Sequence, residues 1–531
     1  MKPGPNRLVK ATKWGRALLF VSHDFPPSTE VGSYSCAQIA RYLPDYGWDP
    51  IVLTVQEKHY EPRYLDRTLT PPAPVIRTGR LPHPFELYRH AKKSVIRHAV
   101  APPQTTPDRF AGFRQTRLES LRSLLAMPDD RIGWIVPAVV AGQRACRKHG
   151  ITHILASGPC WTNHLVGLIL AKCTGLAWTA HFRDPWTEWD RREQGRGQLA
   201  HSVESRLQRW VVRSAASVIC VTERHAQLLR RAHPDVSPDK FVVVPNGYDE
   251  SEWLDVPSDV LPGVPSAHAK FVMVYAGSFD YQDRNPQPVL EALKTLIERG
   301  DVDRSRLQVD LIGWCDTAEG QSVQVAASNL GLSGCVQFHG PMSKSNAFKR
   351  VAAANLLLLL AQGWTLQVPA KTYEYLRAGR PILALAPPTG AVADLLARTG
   401  GAWLIDPSDN EAIALAVREA YRAWLNGEPA RAPDRRLVST YDRRRLVARM
   451  AEILSRDRTY GRARRAMPQP HAPELHCRVR DLRHLRPGAG SSAGRRGLDG
   501  DGHSPRPSRA RWARSPCGRF ARHGYAATQY H

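Results

Sequence analysis

The stretch "QVPAKTYEYLRAGRPILALAP" puts a lysine, Lys371, in the first turn of a helix expected to start at Pro369, cap at Gly379 and stop at Pro381. A cation there meets the positive end of the helix dipole, at a cost of roughly a few tenths of a kcal/mol or more. Either the side chain snorkels into water, or an anion such as a phosphate sits at the helix start and uses both the ammonium and the free backbone N–H groups. Three more clusters fall where strands should end. In "SHDFPPSTEVGSYS" (22–35), Gly32 and Ser33 let the backbone close on a phosphate, although the stretch is no G-x-G-x-x-G dinucleotide loop. In "AWTAHFRDPWTEWD" (177–190), alternation along a strand sets His181 and Arg183 on one face beside Asp184. Such a group could orient a hydroxyl and stabilise an oxocarbenium ion or a leaving phosphate, or the Arg–Asp pair could simply brace a turn. In "VYAGSFDYQDRNPQPVLEAL" (274–293), a Gly277-Ser278 turn precedes Arg284. Arg284 and Lys371 on neighbouring loops suit a diphosphate, which carries at least two negative charges. The chain has no metal-ligand spacing, G-x-S-x-G elbow or P-loop. A diphosphate handled by Arg, Lys and backbone donors, with no metal and no cofactor, is the expectation.

Apolar runs that alternate with amphipathic stretches would position these groups. The runs at 17–21, 49–54, 153–157, 177–182, 217–221 and 241–245 predict one set of parallel strands. Those at 271–277, 308–313, 336–340, 355–361, 381–387 and 401–406 predict a second. The expected fold class is α/β, with two doubly wound domains in series whose ligands bind beyond the carboxyl ends of the strands, so that a facing pair shares a cleft. The expected spans are an extension at 1–16, a first domain at 17–255, a Pro/Ser/Gly-rich linker at 256–268 and a second domain at 269–435. A helix at 436–455 and a basic tail at 456–531 complete the chain. Residues 80–126 fit the layout less well. Leu118, Leu121, Leu124 and Leu125 fall on one helical face with Arg114, Arg117 and Arg122 beside them. That pattern suits either an anionic membrane surface or packing on the chain's own domain.

The formal charge of +25 would suggest nucleic acid if it were spread over a fold. About half of it lies in the tail, where 17 Arg and five Asp/Glu leave +12 over the last 76 residues. That tail is rich in Arg, Pro, Gly, Ser and Ala, lacks both periodicities and reads as disordered, so no specific nucleic-acid partner is expected. No run of eighteen apolar residues exists, and "ALLFVS" is too short for a signal-peptide core. Nine scattered cysteines without a C-x-x-C pair fit a reducing compartment.

Six stretches, in order across residues 17–455, resemble the GT-B-fold retaining glycosyltransferases of family 4 (group 1), especially bacterial exopolysaccharide and cell-surface glycan enzymes. They are "LFVSHDFPPSTEVGSYSCAQIARYLPDYGWDPIVLT", "MPDDRIGWIVPAVVAGQR", "ILASGPCWTNHLVGLILAKCTGLAWTAHFRDPWTE", "VVVPNGYDESEW", "VYAGSF" and "PAKTYEYLRAGRPILAL". The resemblance implies two Rossmann-like domains facing across a cleft, with a nucleotide-sugar held by the second. It maps the ribose contact to Glu374, the diphosphate to Arg284 with Lys371 beside it and the Gly277-Ser278 turn, the glycine loop to Gly32 and Ser33, and the reacting centre to Asp184 with His181 and Arg183. It implies transfer from a UDP- or GDP-sugar to a glycan or lipid-linked acceptor, in the cytoplasm or on the inner face of the plasma membrane. The sequence departs from the family at Leu366, where many members carry a second glutamate, at His181, where relatives have Asp, and at Ser278, often Arg. A nucleotide-sugar 2-epimerase or hydrolase of the same fold, and a non-catalytic binding homologue, are the alternatives.

Overall fold

The computed structural model describes residues 16–82, 127–187, 198–256, 269–279, 284–428 and 431–466. The tail from 467 and most of 80–126, with the leucine face expected there, lie outside the described residues.

The first apolar run forms β1 (Ala17–Val21), and all five of its residues are buried. Both faces of such a strand are covered, which is why it reads as a continuous apolar run rather than an alternating one. Leu19 and Val21 belong to one core cluster and Leu18 and Phe20 to another, on the opposite face. The first half continues through α1 (Val31–Tyr42), β2 (Asp49–Val55), β3 (Val75–Thr78), α2 (Ile135–Lys148), β4 (His153–Gly158) and α3 (Thr162–Thr174). It ends with β5 (Trp178–Phe182), α4 (Gln198–Ser214), β6 (Ser217–Cys220), α5 (Glu223–Ala232) and β7 (Phe241–Val243). These strands make one seven-stranded sheet in the order β3-β2-β1-β4-β5-β6-β7, with every pairing parallel.

The second half runs β8 (Phe271–Ala276), α6 (Gln287–Glu298), β9 (Leu307–Ile312), a hairpin of β10 (Thr317–Ala318) and β11 (Gln321–Ser322), α7 (Val323–Asn329) and β12 (Val336–Gly340). It continues through α8 (Lys344–Ala353), β13 (Leu356–Leu360), α9 (Ala370–Ala378), β14 (Ile382–Leu385), α10 (Ala391–Thr399), β15 (Ala402–Ile405) and α11 (Asn410–Leu425). Its parallel sheet has the order β12-β9-β8-β13-β14-β15. In both sheets the order reverses beside the first strand, at β1/β4 and at β8/β13. At such a switch point, neighbouring loops diverge and leave a crevice.

Two helices close the described chain. α12 (Arg435–Ser439) and α13 (Arg443–Ala466) replace the single helix expected from the sequence. The break at Thr440–Asp442 is anchored by backbone bonds from Tyr248 N to Tyr441 O and from Arg443 N to Tyr248 O. α13 then packs on the first half: Leu446, Val447, Met450 and Leu454 join Leu18, Phe20, Ile39 and Trp48 in one buried cluster. Farther along α13, Asp457 accepts hydrogen bonds from Thr179 (2.8 Å) and Ser217 (2.7 Å). Asp457 thus ties α13 to strands β5 and β6.

Candidate active site

The helix around Lys371 starts one residue later than expected: Pro369 is its N-cap and Ala370 its first residue, while Gly379 caps it at φ 70°. No side chain caps the start, so the first N–H groups keep their capacity for an anion. Lys371 does not snorkel. Part of the residue remains accessible, but its Nζ is sealed from solvent without a hydrogen-bond partner. The nitrogen lies 4.0 Å from the centroid of the Tyr275 ring. Burial, and then the positive charge of Arg284, push this amine well below the usual lysine range. Gly277, at φ 152°, makes room for it, since a Cβ there would come within 2.1 Å of Lys371 Nζ. Arg284 donates to Ser278 O at 3.1 Å, beside the Tyr275 hydroxyl, which donates to the same oxygen at 3.0 Å. Gly277, Ser278, Arg284, Lys371 and Glu374 are all partly accessible. A glycine turn, two basic side chains and an open helix start therefore converge on one place.

In the first half, the Arg183 guanidinium lies over the first turn of α1. A Cβ on Gly32 would meet Arg183 Nη2 at 2.8 Å, so glycine permits this approach. α1 also starts without a side-chain cap, and Ser33 Oγ beneath it is buried without a partner. Arg183 is braced by its Nε–H to Gly158 O at 2.9 Å. His181 is buried within β5, 3.1 Å from Ser157 Oγ. Burial, with Arg183 next in weight, drives its basicity well down, so the ring is neutral.

Beneath this seat is a charge network absent from the sequence reading. Asp24 pairs with His23 at 2.8 Å. Burial alone would raise Asp24, yet His23, Arg131 and Arg183 hold it below the ordinary carboxylate range. Burial and the neighbouring Asp24 carboxylate push Glu30 up to about 7. Its ion-pair partner is Arg131, at 3.8 Å.

Several side-chain contacts link the halves, among them the ion pair of Arg224 on α5 with Asp394 on α10. Gln367 donates its amide N–H to Asp184, and Thr222 donates its hydroxyl to the backbone oxygen of Leu366. The loop before α9 thus touches the ends of β5 and β6. Lys344 pairs with Glu252 and, at 3.1 Å, with Glu374, while standing 5.6 Å from the ring centroid of Tyr34 on α1. Against burial, Glu374 and Glu252 hold the Lys344 ammonium above the usual lysine range. The expected residues thus fall into two groups, Gly277, Ser278, Arg284, Lys371 and Glu374 on one side and Gly32, Ser33, His181, Arg183 and Asp184 on the other. Gln367 and Lys344, which no sequence motif singled out, bridge them. Among the described residues no group of three or more His, Cys, Asp or Glu could hold a metal ion.

Comparison with known proteins fits this architecture. The family described as Glycosyltransferase Family 4 matches residues 85–252, and Glycosyl transferases group 1 matches residues 270–423. A D-inositol 3-phosphate glycosyltransferase of Streptomyces griseus subsp. griseus is 26% identical over 195 residues, 35% of this chain and 39% of that protein. The chain thus spans about two fifths of the length of the curated relative it matches. Anabaena Alr3699/HepE, solved in complex with UDP, superposes with a TM-score of 0.54 at 15% identity, over 83% of this chain and 100% of that one. The N-terminal domain of Candida albicans trehalose-6-phosphate phosphatase gives 0.55 at 12% identity, over 85% and 98%. At these identities the solved structures speak for the fold. With one family match on each of its two parallel-sheet halves, the chain belongs to the family 4, group 1 glycosyltransferases and has the GT-B fold.

Proposed function

We propose that the enzyme transfers a sugar, with retention, from a nucleotide-diphosphate sugar to a hydroxyl of a cell-surface glycan or lipid-linked acceptor. The observation that carries this reading is Lys371: a basic nitrogen sealed from water, without a partner, at an uncapped helix start beside Gly277 and Arg284. A buried unsatisfied amine is costly unless a ligand completes it. A diphosphate would do so, with Arg284 and the Gly277-Ser278 turn taking its remaining oxygens. Support also comes from HepE, whose solved structures hold UDP and UDP-glucose.

On this reading Glu374 turns from Lys344 to the ribose. Gly32, Ser33 and Arg183 close on the diphosphate from the opposite side, where positive charge stabilises the leaving group as the glycosidic bond breaks. Asp184 and the neutral ring of His181 lie on the acceptor side and orient the attacking hydroxyl. No side chain need serve as a strong base, because the departing phosphate oxygen can take the acceptor's proton. Lys371 and Arg284 supply the neutralisation that a divalent cation would otherwise give, so transfer should not require one. The setting proposed is the cytoplasmic side of the plasma membrane.

The test is a thermal-shift panel of UDP, GDP, ADP and CDP with and without EDTA. One nucleotide should raise the melting temperature selectively, and EDTA should not abolish the shift. Four nucleotides without effect would overturn the donor site; a shift lost to EDTA would overturn metal independence.

A further inference from the structure

A cavity of about 480 Å³ lies behind α9, on the side of that helix away from Lys371. Tyr373, which lines it, stands roughly 200° around the helix axis from Lys371, at about 100° per residue. Both halves supply its walls. Val221 follows β6 and Val243 ends β7, while Val368 precedes α9 and Leu395 belongs to α10. Leu446 and Arg449 of α13 close it. None of Gly277, Ser278, Arg284, Lys371 and Glu374 is among the described residues that line it. What binds there is therefore a separate matter from the sugar donor.

The polar groups left free in this cavity are donors. Tyr373 (2% exposed) and Tyr441 (8%) both line it, with ring centroids 5.1 Å apart. Neither hydroxyl has a hydrogen-bond partner among the described residues, although a buried tyrosine O–H usually finds one. Burial and the neighbouring Tyr441 hold the Tyr373 hydroxyl well above the usual tyrosine range, so it keeps its proton. Arg398 and Arg449 also line the cavity, and neither makes an ion pair or hydrogen bond with a described residue. The two acids present are already engaged, Asp394 with Arg224 and Glu223 with Arg230. We propose that this cavity binds an organic phosphate monoester with an apolar body. Two guanidiniums suit its dianionic head, the tyrosine hydroxyls donate to its remaining oxygens, and Val221, Val368, Leu395 and Leu446 take the body. The volume falls within the range of about 300–1,000 Å³ common to small-molecule sites. A bare phosphate would leave the apolar walls without a role, and a neutral apolar molecule would leave the arginines and hydroxyls without one.

The probe is octyl phosphate, kept below the concentration at which it forms micelles, and the readout is calorimetry on the full-length protein. One molecule should bind per chain, with inorganic phosphate and octanol each weaker by at least about tenfold, since each lacks one part of the match. The paired change Arg398→Gln/Arg449→Gln should weaken octyl phosphate roughly 30-fold, in keeping with two charge-assisted contacts near solvent. Both arginines are exposed, so an unchanged melting temperature without probe confirms folding. Tyr373→Phe, which keeps the ring and removes the hydroxyl, should weaken binding about fivefold. Saturating UDP should not displace the probe, because the donor group lies on the other side of α9. The proposal falls if octyl phosphate does not bind, or binds the arginine variant like the parent. It also falls if octanol or inorganic phosphate binds equally well, which would make the cavity a plain apolar or plain anion site. Displacement by UDP would place the probe in the donor site and overturn it as well.

Discussion

The two sides of the cleft meet the same requirement, charge near bare helix starts, in opposite ways. On the α9 side, Lys371 Nζ is sealed and unpartnered. On the α1 side, Asp24 pairs with His23 and Glu30 with Arg131, although His23 Nε2 and Ser33 Oγ stay without a hydrogen-bond partner. A buried amine without a hydrogen-bond partner is a standing cost that an anionic ligand removes, whereas charges already paired with one another gain less from a further charge. The difference teaches which half should supply donor affinity and which should position the acceptor. The first half would contribute Arg183, neutral His181 and Asp184 to transfer without holding the nucleotide on its own.

The sharpest way to break this contrast is Lys371→Met. Nucleotide affinity measured by calorimetry should fall roughly 100-fold, as when one member of a buried charge pair is removed. The same change should raise the melting temperature. The folded pKa of Lys371 is depressed, so the unfolded chain binds the extra proton. The native state therefore gains stability as pH rises toward the ordinary lysine range, and at neutral pH it bears the cost of a buried amine. Removing that amine trades function for stability. A variant that binds nucleotide normally would show that Lys371 is only a packing element.

A smaller effect is expected from Gln367→Ala, which removes the contact to Asp184 across the cleft. The turnover number should fall about tenfold, in keeping with one hydrogen bond to a charged group. Nucleotide affinity should stay within about twofold, because the donor side remains whole. Equal losses in both would mean that closure, rather than the α9 side alone, holds the nucleotide. An unaffected turnover number would leave the bridge without a catalytic part.

The contrast also marks how far the sequence could be read. Lys371, Gly277 and Arg284 were legible because each sits just past an apolar run, and the carboxyl ends of parallel strands are where ligands collect. The buried strands were legible for the same reason: "LLLLL" in β13 has no polar position to blur its pattern. β3 was missed because it lies at the sheet edge, with three of its four residues only partly buried. Gln367, Lys344 and Glu30 were missed for another reason. Their roles arise from partners 183, 30 and 6 residues away in the chain, Asp184, Glu374 and Asp24, and nothing local in their stretches announces those contacts. The expected snorkelling option for Lys371 failed because a lysine's four-carbon stem can fold inward as readily as outward when a glycine opposite leaves room.

The mildest test concerns Glu30 and asks whether the α1 side is as self-contained as its geometry suggests. Burial and the Asp24 carboxylate hold Glu30 at about 7, against an ordinary 4.5. Between these values the folded protein keeps a proton that the unfolded chain has released. Stability from this group is fully present below pH 4.5 and is lost as pH rises through 7. With 32% of the side chain exposed, solvent screening reduces the effect to about 1 kcal/mol. Glu30→Gln keeps the shape and removes the titration. Its melting temperature, followed from pH 5 to 8, should lack the parent's decline and exceed the parent by about 1–2 °C at the alkaline end. Parallel curves for the two proteins would mean that Glu30 is already ionised in the folded state, with Arg131 outweighing Asp24. The α1 side would then carry an unbalanced negative charge, and the division of labour between the two sides would have to be redrawn.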